Sequence, residues 1–103
     1  VVNLEKIKSE LHGMKEQQVQ EWLNQKCGTF EFIAKERLVA IHAHVPDPIL
    51  EKCSGRYRAI INDATGYINF EDRMVEGYVG IVVYTSEDGI VFHTDLEIMS
   101  DGS

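Results

Sequence analysis

The sequence predicts an α+β domain in which an N-terminal helical hairpin packs on a mainly antiparallel sheet of about six strands. Apolar residues recur every three or four positions as far as Lys26, and from Thr29 onward the period changes to two. The turn-forming clusters "NDATG" (62–66) and "SEDG" (86–89) then divide the second part into strands.

Val1, Leu4, Ile7, Leu11 and Met14 lie on one side of a first amphipathic helix, with Asn3 as its N-cap and Gly13 as the left-handed residue that ends or kinks it. A second helix runs from Lys15 to Lys26, with Val19, Trp22 and Leu23 inward and Gly28 just past its end. "TFEFIA" (29–34) alternates as a strand. "RLVAIHAHV" (37–45) reads as another, with Val39, Ile41, Ala43 and Val45 on the core side and Leu38, Ala40, His42 and His44 on the other. Pro46 and Pro48 stop it, because proline cannot donate to a ladder, and "DPILEKCSG" (47–55) forms a loop or short helical turn. "RYRAII" and "YINF" are expected to make a hairpin around "NDATG", and "GYVGIVVY" and "IVFHTDLEIM" a second one around "SEDG". The expected layout is a single domain over 1–103, helical over 1–28, sheet over 29–99, with a flexible tail at 100–103.

Composition narrows the function classes. A hydrophobic fraction of 44% and a charged fraction of 26% describe an ordinary globular chain rather than a disordered one. No apolar run reaches the length of a membrane span and no leader-like N-terminus is present, so the default expectation is a cytoplasmic protein that does not enter a membrane. Seventeen acidic against ten basic residues give a net charge of −7, which repels phosphate backbones and suits a partner with a basic surface. Cys27 and Cys53 form no Cys-x-x-Cys pair and read as buried free thiols, with a single bridge between them as the alternative.

Residues i and i+2 of a strand share a face, so His42 and His44 could ligate one divalent transition metal, with His93 and Asp95 joining them if the last strand lies alongside. The plain alternative is that these side chains occupy the wet face of a half-buried sheet. That outer face also carries Leu38, Tyr78, Val82 and Tyr84, more apolar than full solvation favours, which makes it a candidate protein interface or homodimer contact. "RYR" (56–58) could meet phosphates, although three residues do not outweigh the overall charge and salt bridges are the simpler use. No nucleophile elbow or phosphate loop is present, and "EQQVQEWLNQK" lacks the basic cluster that a DNA-reading helix needs.

The resulting expectation is a small acidic, noncatalytic protein-binding or regulatory module, homodimeric, acting through the sheet face around Tyr78, Val82, Tyr84, His42 and Leu38 without touching nucleic acid directly. A metalloprotein or metal-dependent enzyme built on His42, His44, His93 and Asp95 is the first alternative. An acidic inhibitor of a nucleic-acid-binding protein is the second, resting on the charge alone.

Overall fold

The computed structural model describes the chain at residues 4–61, 66–70 and 73–99, with side chains at 5–61 and 79–97. In chain order the elements are α1 (Leu4–Leu11), α2 (Glu16–Lys26), β1 (Phe30–Ala34), α3 (Lys35–Ala40), α4 (Asp47–Lys52), β2 (Cys53–Ile60), β3 (Gly66–Phe70), β4 (Arg73–Ser86) and β5 (Val91–Met99). The class is α+β, and every strand pairing is antiparallel.

The sheet has five described strands, one fewer than the alternation suggests, because 37–45 is not a strand. Its order is β1-β2-β4-β3, with β5 also paired to β4. β4 is the axis of the sheet. Its fourteen residues serve β3 along Arg73–Gly77, then β2 along Gly80–Ser86 and β5 along Tyr78–Thr85. The expected hairpin between "RYRAII" and "YINF" does not form: β2 and β3 run in the same direction, each antiparallel to β4. Residues 62–65 of its "NDATG" turn lie outside the described residues, as does the tail at 100–103. The hairpin at "SEDG" does form, closed by Gly89 N–H on Ser86 C=O at 2.9 Å and Ser86 N–H on Ile90 C=O at 2.9 Å. Gly89 there adopts φ 75°, a turn conformation that costs glycine little.

Both N-terminal helices lie on one face of the sheet. Leu11, Val19 and Leu23 are buried against Tyr57, Val79, Ile81, Val83 and Val91, with Ile7, Trp22 and Leu96 packed around them. The link between the helices is tied to the start of β5 by Gly13 N–H on Val91 C=O at 3.0 Å and Val91 N–H on Met14 C=O at 2.9 Å. Tyr57 fastens α2 to the sheet. Its hydroxyl accepts from Gln20 Nε2 at 3.0 Å and donates to Glu16 Oε1 at 3.3 Å, and burial pushes its pKa up.

The opposite face is covered too, by α3, the link after it and α4. Leu38, Cys53, Val82 and Tyr84 form a second buried cluster, with Ile33, Ala43, Val45, Ile49, Leu50 and Phe92 packed against it. "KERLVA" favours helix because Lys, Glu, Arg, Leu and Ala all do. The stretch read as "IHAHV" is the cap of that helix. Ala43 N–H donates to Leu38 C=O at 3.0 Å and His42 N–H to Val39 C=O at 3.2 Å, the paired bonds of a Schellman motif. His42 holds the left-handed position that the motif requires, at φ 52°, and Leu38 and Ala43 supply its apolar contact.

A left-handed non-glycine residue carries a steric cost, so His42→Gly is expected to stabilise the fold by about 0.5–1 kcal/mol and His42→Val to destabilise it by about 1 kcal/mol or more. Urea unfolding of the two variants beside the wild type checks the sign of both. A loss of stability in His42→Gly would show that the imidazole makes a contact worth more than the strain.

Candidate interaction surface

Burial removes most of the face expected to meet a partner. Leu38 and Val82 are each 1% exposed and Tyr84 is 3% exposed, so the three form an interior layer under α3. His42 is exposed, but in the cap of α3 rather than on the sheet. Tyr78 stands in β4 opposite Met99, and its side chain lies outside the described residues. The signal that could have shown this is "IVVY" (81–84). An unbroken apolar run belongs to a strand buried on both faces, whereas a half-solvated strand alternates.

The expected metal cluster does not assemble. His44 lies exposed in the link between α3 and α4, while His93 and Asp95 stand on β5. Among the described residues no three of His, Cys, Asp and Glu come together as a metal site. His93 Nε2 and Asp95 Oδ1 are 3.0 Å apart, and the His93 ring lies 5.7 Å from that of Tyr84. The i and i+2 spacing thus makes a surface pair on β5, and the other two histidines belong to a different layer because their segment is not a strand.

The "RYR" triplet divides between the faces as a strand requires. Tyr57 enters the helix-covered core, Arg58 pairs with Glu97 at 3.2 Å, and Arg56 Nη1 donates to the Tyr84 hydroxyl at 3.3 Å. Arg56 Nε is buried without a hydrogen-bond partner. Cys27 and Cys53 are both free and buried, in different clusters on opposite sides of the sheet. Burial pushes the Cys27 thiol up to about 11 and raises that of Cys53, where Lys35 and Arg56 oppose the shift. Both are thiols rather than thiolates at neutral pH, which makes them poor nucleophiles.

What the sequence reading missed is the edge formed by β1. β1 ends the strand order, and no described strand lies beyond it. Ile61 N–H donates to Val79 C=O at 2.9 Å, and alternation along β2 from there turns the backbone of Arg56 and Arg58 toward their β1 partners Ile33 and Glu31. The N–H groups of Phe30, Phe32 and Ala34 therefore point away from the sheet. Exposed apolar side chains lie on the elements that meet at this edge, on both faces of the sheet: Phe32 (44% exposed) on the α2-covered face of β1, and on the other side Val39 (51%) on α3, Ile41 (46%) at its C-cap and Ile60 (48%) at the end of β2. A groove of about 600 Å³ opens at the start of the same edge, lined by Cys27, Thr29, Phe30, Glu31, Arg58, Ala59 and Ile60.

The local sequence explains why this edge is short and open. β1 has five residues, begins two residues after the left-handed Gly28 that closes α2, and runs directly into α3. Phe32 packs its ring 4.8 Å from that of Tyr57 yet keeps its outer side in solvent. No helix among the described residues is long and apolar enough to cross a membrane. Comparisons of the chain with family models, with curated proteins and with solved structures return no match, so the reading of this surface rests on its geometry.

Proposed function

We propose that the protein is a small noncatalytic binding module whose contact surface is the β1 edge with the flanking α3. The observation that carries this reading is the coincidence of unpaired strand backbone with four exposed apolar side chains, Phe32, Val39, Ile41 and Ile60. Main-chain hydrogen bonds to a sheet edge supply affinity, and apolar neighbours on either side supply specificity, as in strand addition generally. The net charge of −7 favours a partner with a basic surface and speeds its approach. The two free thiols, Cys27 and Cys53, are buried.

Two variants test the surface. Val39→Glu places a charge on the outer side of α3, away from the buried cluster around Leu38, and Phe32→Lys places one on the edge itself. Val39→Glu is expected to keep the melting temperature within a few degrees of wild type, and Phe32→Lys to lower stability by about 1 kcal/mol through lost ring contact with Tyr57 while leaving the chain folded. Both are also expected to lose at least tenfold in affinity for whatever the wild type retains in solution, a second copy included. Unchanged binding in both variants would remove the β1 edge as the contact surface.

A further inference from the structure

We infer that the β1 edge is occupied by a second copy of this chain, its β1 running antiparallel to the first about a two-fold axis at Phe32, so that two five-stranded sheets join into one. This rests on the reading of the edge as the contact surface. The backbone restricts the register, because outward-pointing residues must meet outward-pointing residues. An axis at Glu31, Phe32 or Ile33 satisfies that rule. An axis at Glu31 sets two carboxylates directly opposite each other, which is repulsive. An axis at Ile33 runs the partner strand into residues that are already helical, since α3 begins at Lys35. The axis at Phe32 alone pairs all five residues of β1, with the two Phe32 residues directly opposite each other at the centre.

Charge supports the same register. Glu31 stands opposite Arg58 within its own chain, but Arg58 is engaged by Glu97 instead, and Glu31 has no ion pair among the described residues. Lys35 Nζ donates to the Glu51 carbonyl at 3.2 Å and has no carboxylate partner among them either. With Phe32 on the axis, Glu31 of one copy faces Ile33 of the other. Lys35 of that second copy, the first residue of α3 and two positions past Ile33, then follows at the end of the paired strand, where its long side chain can turn toward Glu31. The two-fold repeats the pair, so one register satisfies two otherwise unpaired cations and two unpaired anions. The net charge of −7 on each copy opposes the encounter at long range, and physiological salt screens it beyond about 8 Å.

Sedimentation equilibrium of the purified chain over micromolar to millimolar concentration, at physiological ionic strength, is the test. The expected result is a reversible monomer–dimer equilibrium. Glu31→Lys and, more gently, Glu31→Gln should shift it toward monomer, the former by roughly tenfold in Kd. The double exchange Glu31→Lys with Lys35→Glu should restore it, which a general loss of fold could not do. A chain that stays monomeric throughout overturns the inference. So does a dimer indifferent to Glu31→Lys, or one that the double exchange fails to rescue. If the wild type is monomeric while Val39→Glu and Phe32→Lys still abolish binding of another protein, the second copy is excluded and the edge stands. If those two variants change nothing, the edge itself is excluded.

Discussion

Leu38→Ala is expected to destabilise the protein by about 2–5 kcal/mol, a large part of the stability of a domain this size. Leu38 is the only buried residue of α3, and it sits on Val82, Tyr84 and Cys53. A helix of six residues has no independent stability, so its position depends on that one anchor and on the cap bonds from His42 and Ala43. Removing the three outer carbons of the side chain would leave a void over Tyr84, and α3 would loosen from the sheet. Chemical denaturation reads the loss. Cys53, buried in the same cluster, gives an independent readout, since its alkylation should accelerate when α3 opens while that of Cys27, on the far side of the sheet, does not. A change near zero would mean that Leu38 faces solvent, as a sheet face open to water would have it.

Gly55→Ala is expected to destabilise the pairing of β1 with β2. A Cβ at position 55 would meet the Ile33 carbonyl oxygen at 2.5 Å and the Phe32 ring at 2.5 Å. The ring can swing away, but the carbonyl is backbone and belongs to the β1–β2 pairing, in which Gly55 stands opposite Ala34. Forced overpacking of this kind costs about 1–3 kcal/mol, with some of it recovered by trimming Phe32 to Leu in the same chain. The pair of variants also connects stability to function. Glycine at 55 is what lets the Phe32 ring lean inward over β2 against Tyr57, so Gly55→Ala should displace that ring and weaken binding at the edge beyond its effect on folding. Thermal unfolding and affinity measured together separate the two.

The parts of this fold legible in the sequence are those fixed by local chemistry. The second N-terminal helix shows its period through Val19 and Leu23 and its end through Gly28, and the β4–β5 hairpin shows its turn through Gly89. α3 was hidden because a helix with a single inward residue has no period. Its cap uses histidine where glycine would have been a plain signal, and "RLVAIHAHV" happens to alternate. The "NDATG" cluster suggested a hairpin between β2 and β3, but pairing was decided non-locally by the length of β4, which takes both as partners along its course. The candidate surface failed to show for the same reason as α3. Val82 and Tyr84 alternate onto a face that is solvated only if nothing covers it, and the covering layer comes from the misread segment. Phe32, in turn, gains meaning only from the strand order, which places β1 at the end.

Amide hydrogen exchange at Phe32, followed by NMR at low and at high protein concentration, tests the central claim most directly. The β1-edge account predicts that Phe32 N–H exchanges quickly in dilute protein and becomes protected as concentration rises, while Ile33 N–H, turned toward β2, is protected throughout. Rapid exchange of Phe32 at every concentration would contradict pairing with a second copy. Protection already complete at a concentration where sedimentation finds only monomer would mean that the chain covers this edge itself, and the surface would not be available to any partner.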